Sequence, residues 1–206
     1  MAIQPAGSPF ECAARLRAMM PLLLADWRTA RAAYDAWRRA VPAPESVFAA
    51  TACLLALARL FDKPRFDARG RSERASLPHA LRLLDDRPTL RVLIDQAGSW
   101  TPEMPELAED NRAMAARAGL RALVRHRRRF GLATPVGDAL AEIGTLRDRS
   151  LAHSMMDRQS GCGWQGEIDG AVSRWGRPVI DEAAILLQLI SECCDGLPPD
   201  DIRAGA

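Results

Sequence analysis

Between Thr145 and Ser154 the chain reads TLRDRSLAHS, which gathers two guanidiniums, a carboxylate, an imidazole and three hydroxyls into ten positions. Histidine is the side chain whose ordinary pKa lies nearest neutrality, so His153 is the residue here suited to take up and return a proton. Arginine is permanently charged and planar, and it grips two oxygens of a phosphate or carboxylate with parallel N–H donors. A base beside an anion-stabilising cation is the equipment for proton-coupled chemistry at a phosphate ester. Within that scheme His153 is the base and Arg147 or Arg149 the cation beside it. Asp148 is placed to orient a guanidinium or the imidazole, and Ser154 is a further donor to phosphate oxygens.

An arginine five or six residues ahead of a histidine is not rare in this chain. Of its 28 basic residues only Lys63 is lysine, and all three histidines carry such an arginine: Arg74 before His79, Arg121 before His126, Arg147 before His153. Context separates them. His79 follows Pro78 after a breaker-rich loop, and His126 sits in RHRRR as one more solvated residue. Only Arg147 is followed by a small polar residue and leads into LAHS on a late helix. Six positions on an ideal helix turn about 600°, so Arg147 and His153 lie about 120° apart. Arg149, four positions before His153, shares its face. The spacing alone therefore leaves both arginines open as the partner of the imidazole.

The elements that must hold these residues read as helices throughout. From Pro9 to about residue 41 apolar residues recur every three or four positions (Ala13, Leu16, Met20, Leu23, Leu24, Trp27), with Pro21 expected to divide or kink the run. A second helix, apolar almost all round, reaches to about Phe61 and suits the centre of a bundle. DKPRFDARGRSERAS at 62–76 is a polar loop. Ser76 then caps a short helix, LPHALRLLDD, and another runs from Arg87 to Ala97. A long helix follows from about Pro105 to Phe130, then one from Asp138 through His153. SGCGWQGEIDG at 160–170 holds four glycines and reads as a loop, and the last helix is expected to begin near Pro178. Cys193 and Cys194 read as core or helix edge, and Trp164 and Trp175 as caps on the bundle rather than stacking platforms. The expectation is an all-α helical bundle of about six to eight helices in one domain, with residues 1–24 as an appended N-terminal helix and 25–195 as the core.

Composition narrows the partners. The formal charge is +2, so attraction for a polyanion must come from local patches. One such patch is the stripe Arg117, Arg121, Arg125 and Arg128 at helical spacing, able to track a phosphate backbone or to form a solvated face. Five cysteines, two of them adjacent and none in a C-x-x-C pair, point to reduced, buried thiols rather than disulfides or a zinc ribbon. The N-terminal residues lack a basic segment leading into an apolar run, and the longest apolar stretch, 47–58, is too short to cross a bilayer. A soluble, cytoplasmic protein with no membrane partner and no cofactor is the expectation.

R-D-R-S-L-A-H-S resembles the Arg-polar-x-x-x-Ala-His motif of the HEPN superfamily, helical-bundle proteins many of which are metal-independent ribonucleases. The surroundings resemble its abortive-infection branch. An apolar helix ends in ARLFD at 58–62, a basic loop leads to SLPHALRLL at 76–84, a long charged helix precedes the motif helix, and an amphipathic helix closes the bundle. The resemblance spans roughly residues 25–195 and selects Arg147 over Arg149. It implies a toxin or phage-defence effector that cuts RNA when a 2′-hydroxyl attacks the adjacent phosphorus. The site would lie at the cleft of a homodimer, with His153 as base, Arg147 stabilising the phosphorane, and Arg149, Ser154, Arg121, Arg125 and Arg128 holding the strand. RNA, a second copy and a neutralising antitoxin protein are the partners it implies. The alternatives are a catalytically silent helical module binding RNA, a nucleotide or a partner protein, and a helical scaffold whose Arg–His spacing is accidental.

Overall fold

The computed structural model describes residues 7–40, 44–62, 75–130, 133–156, 163–196 and Ile202; of residues 44, 150–156 and 163–165 only the backbone is described. The chain is an all-α protein. Its helices are α1 (Pro9–Arg39), α2 (Pro44–Leu60), α3 (Leu77–Asp85), α4 (Arg87–Ala97), α5 (Ala108–Arg129), α6 (Pro135–Met156) and α7 (Gly163–Asp195), with a 3-10 turn at Pro105–Leu107. Among the described residues there is no strand, and no helix is long and apolar enough to cross a membrane. They fall into two compact units, one of residues 1–24, 63–128 and 184–206, the other of 25–62 and 129–183.

In the first unit, α3 starts where Ser76 accepts a bond from the His79 N–H. Next, α4 starts where Asp86 accepts from both the N–H and the hydroxyl of Thr89. Leu16 and Leu23 of α1, Leu77, Leu83 and Leu84 of α3, Leu93 of α4 and Leu186 and Leu187 of α7 are fully buried and make its core. At Gly119 of α5 an added Cβ would lie 2.8 Å from Leu90 Cδ1 and 3.1 Å from Cys193 Sγ, so glycine there allows close helix packing. Arg17 ties α1 to its neighbours, donating to the Cys194 carbonyl at 3.2 Å and to Gln96 Oε1 at 2.6 Å.

The second unit is built on α2, which packs along α6, with α1 from Ala25 onward and α7 up to Ala183. Trp27, Leu54, Leu57, Leu60, Ile143, Ile168, Val172 and Ile180 are buried. The Trp27 indole donates to the Ile180 carbonyl at 3.1 Å.

Three expectations need correction. Of the two outcomes expected at Pro21, division does not occur: α1 is one helix through it, with Pro21 exposed and Met20, Leu23 and Leu24 buried. An internal proline costs about 3 kcal/mol, and each buried side chain of this size returns roughly 1.5–3 kcal/mol. Second, the glycine-rich stretch is not a loop, since α7 already begins at Gly163 (160–162 lie outside the described residues). Ile168, Ala171, Val172 and Val179 recur at helical spacing and are buried, and this outweighs the propensity cost of about 1 kcal/mol for each glycine. Third, the last helix does not begin near Pro178, which lies inside it. Gly176 supplies part of the reason: an added Cβ would sit 2.8 Å from a ring carbon of buried Tyr34, so the glycine lets α1 press against this part of α7.

Candidate functional site: a cleft between α6 and α7

Thr134 positions α6. Its hydroxyl oxygen accepts the Gly137 N–H at 3.0 Å, and Pro135 occupies the first turn, so the helix begins three residues earlier than the sequence pattern suggests. From there the regular turn of α6 sends the two candidate arginines to different neighbours.

Arg147 faces the end of α2. Its Nη1 donates to Asp62 Oδ1 at 3.0 Å, and its Nε and Nη2 reach Asp148 Oδ1 at 2.9 and 2.8 Å. The guanidinium is 22% exposed and the Asp62 carboxylate 15%. The bond to Asp62 is the main cause that lifts Arg147 above its ordinary pKa; burial works against it and Asp148 adds to it. Beside this pair the Phe61 and Phe130 rings stack with centroids 5.3 Å apart. Arg147 is thus held by two carboxylates in a shielded position, which is the arrangement of a structural tie. Of the two groups named for Asp148 to orient, its contact in this structure is with the Arg147 guanidinium.

Arg149 faces the other way. Together with Glu142, Thr145 and Leu146 it forms one wall of a cleft of about 660 Å³ in the second unit. Gly166, Glu167, Gly170 and Arg174 of α7 form the opposite wall. A Cβ added at Gly166 would meet nothing within 4 Å, and one at Gly170 only Arg174 Nη1 at 3.6 Å, so the glycines leave bare backbone and open room on that wall. Each cleft arginine has a carboxylate neighbour across the gap. Arg149 Nη1 lies 3.6 Å from Glu167 Oε2, while Arg174 Nη2 donates to Glu142 Oε1 at 2.5 Å. Glu142 also accepts the Trp175 indole N–H at 2.7 Å. The Arg149 side chain is 63% exposed, and its contact to Glu167 is long, so that pair is loose and screened by water.

Position 153 lies in the same unbroken helix, four residues beyond Arg149 and eleven beyond Glu142, and so in register with the cleft wall. The side chains of His153 and Ser154 lie outside the described residues. The helix brings position 153 into line with Arg149, whereas Arg147 stays about 120° away around the axis.

The stripe arginines Arg117, Arg121, Arg125 and Arg128 belong to the first unit. Arg117 and Arg121 line a groove of about 440 Å³ there, Arg121 and Arg128 are exposed, and Arg125 is half-buried. His126 is half-buried rather than solvated. Burial, and then the charge of Arg127, hold its imidazole below the ordinary value, with Asp85 pulling in the opposite sense. His79 is buried in α3. Among the described residues no group of three or more His, Cys, Asp or Glu side chains is placed to hold a metal ion.

Sequence reasoning passed over Arg174, Glu142 and Glu167. Once 160–170 is read as a loop, Gly166, Gly170 and Arg174 have no common face. The signal that would have found them is their i, i+4, i+8 spacing, in step with the buried series from Ile168.

No known protein family, curated protein or solved structure matches the chain.

Proposed function

We propose that the chain is a metal-independent endoribonuclease of HEPN type and that its RNA strand is held in the α6–α7 cleft. The observation that carries this reading is that two helices each offer a cleft-lining arginine, Arg149 and Arg174, with position 153 one helical turn beyond the first. A strand phosphate entering the cleft competes with Glu167 for Arg149, and the long, exposed pair between those two side chains yields at little cost. His153 takes the proton from the 2′-hydroxyl as its oxygen attacks phosphorus. Arg149 and Arg174 receive the charge that builds on the equatorial oxygens, the 5′-oxygen takes a proton from water as it leaves, and His153 returns its proton to the hydroxide so formed. The products are a 2′,3′-cyclic phosphate and a 5′-hydroxyl, and no oxidant or metal enters the balance. Arg149 rather than Arg147 is the arginine assigned to substrate, because Arg147 is committed to Asp62. The family that the motif resembles adds a homodimer with two facing motif helices, a role as toxin or phage-defence effector, and a neutralising protein partner.

Incubation of purified protein with single-stranded RNA in EDTA tests the proposal. Cleavage leaving cyclic-phosphate ends, lost in a folded His153→Ala variant, is the expected result. Cleavage undiminished in that variant would move the chemistry elsewhere. Binding of RNA without cleavage would select the silent RNA-binding module instead.

A further inference from the structure

The outward face of α5 carries two kinds of residue side by side. Leu120 is 56% exposed and Val124 47%, on a helix whose Ala115, Ala118 and Ala122 are buried on the inner side. One turn apart, they lie on one edge of the helix, with the half-buried Ala113 and Ala116 within about 40° of Leu120 around the axis and Arg127, paired with Asp85, in the same sector. Directly beside that edge run Arg117, Arg121 and Arg128, all exposed. Arg117 donates to the Ala113 carbonyl at 3.1 Å, and among the described residues no ion pair engages Arg121 or Arg128. Next to the arginines, Met114 and Ala118 line the groove whose other wall includes Glu192 of α7.

We infer that this face of α5 docks an acidic amphipathic helix of a partner protein. The partner's apolar stripe would lie on Leu120 and Val124 and its flanking carboxylates on Arg117, Arg121 and Arg128. The two halves of the face select the occupant. A helix with leucines at i and i+4 and glutamates on one flank satisfies both the apolar edge and the cations at once. The 22 residues of α5 give about 33 Å of helix along which to run it. A phosphate backbone uses the cations and leaves the apolar edge in water, and the edge has no aromatic ring on which a base could stack. A second copy is disfavoured by charge, because each copy brings three exposed arginines to the contact against two exposed acids, Glu109 and Asp110. The face lies wholly in the first unit and does not depend on the ribonuclease reading.

Fluorescence anisotropy with the full-length protein tests the assignment. The probes are a labelled 20-residue peptide with Leu at i, i+4 repeats flanked by Glu, a scrambled peptide of identical composition, and an oligouridylate of equal charge. The amphipathic peptide should bind at least tenfold tighter than its scrambled isomer. Leu120→Ser with Val124→Ser should erase that difference, and Arg121→Glu with Arg128→Glu should abolish binding, all with an unchanged unfolding midpoint. The milder Leu120→Ala and Arg128→Ala serve if a double variant fails to fold. Equal affinity for the two peptides overturns the inference. So does tighter binding of the oligouridylate that is indifferent to Leu120→Ser, which would give the face to nucleic acid. Sedimentation showing a dimer broken by Leu120→Ser would give it to a second copy and equally overturn the proposal.

Discussion

Deleting the Asp62 carboxylate tests the proposed division between a structural Arg147 and a substrate-binding Arg149. Arg147 and Asp62 meet at 3.0 Å with most of each group shielded from solvent. Two unit charges about 4 Å apart attract by about 4 kcal/mol at an effective dielectric near 20. Desolvation of both partners offsets a large part of that gain, which leaves a coupling of about 1–3 kcal/mol. The contribution of Asp148 is smaller, under about 1 kcal/mol, because its carboxylate is 69% exposed. A double-mutant cycle of Asp62→Ala, Arg147→Met and the pair, followed by urea unfolding, measures the coupling. Tryptophan fluorescence suits it, since positions 27, 37, 164 and 175 belong to the second unit and only Trp100 to the first. Each single variant should lose about 2 kcal/mol, and the double variant should lose markedly less than their sum. RNA cleavage by Asp62→Ala, assayed where it is still folded, should stay within about threefold of wild type, because neither Asp62 nor Arg147 lines the cleft. A coupling below about 0.5 kcal/mol, or a cleavage defect of a hundredfold at full folding, would refute the division of labour between Arg147 and Arg149.

Three further outcomes follow from the same structure. Gly196 ends α7 at φ 77°, and an added Cβ would lie 2.6 Å from Trp100 Cε3; Gly196→Ala should therefore destabilise the first unit by about 2–4 kcal/mol in urea unfolding monitored through Trp100. Because the folded state holds His126 below its ordinary pKa, the unfolded chain binds the proton first. Stability is then unaffected by this group above about pH 6.5 and falls as pH drops below it, with wild type losing more between pH 7.5 and 5.5 than His126→Gln. Burial pushes the Cys53 and Cys193 thiols up to about 12 and raises Cys194 as well, so iodoacetamide at pH 8 should leave peptides bearing these cysteines unmodified until denaturant is added.

Much of the architecture was written in local chemistry. The Ser76 and Asp86 caps, with Pro78 and Pro88 in the first turns, mark α3 and α4 almost to the residue. The nearly all-round apolar character of α2 marks that helix without any knowledge of what it packs against, and α6 was legible except for its first three residues. The misreadings share one cause, since each depended on a tertiary contact. Pro21, Pro178 and the glycines of 163–176 all carry helix-breaking propensity, and only burial on a neighbouring helix overrides it, as Tyr34 shows against Gly176. The candidate site was half visible for the same reason. Helical arithmetic already put Arg149 in line with position 153 and Arg147 out of line. It could not say that Asp62, 85 residues away in sequence, claims Arg147. It passed over Arg174 because reading the glycine-rich stretch as a loop hid the spacing that puts Arg174 on one face with Gly166 and Gly170.

The most direct test of the central claim is the single-turnover rate of RNA cleavage in EDTA by Arg149→Ala beside wild type, with urea midpoints measured on the same preparations. Removing one donor to a developing oxyanion slows a reaction by about 10²–10³. The cleft account predicts a loss in that range with stability changed by less than about 0.5 kcal/mol, as expected for an exposed side chain away from buried features. Full activity in Arg149→Ala, with activity abolished by Arg147→Lys at undiminished stability, would contradict it.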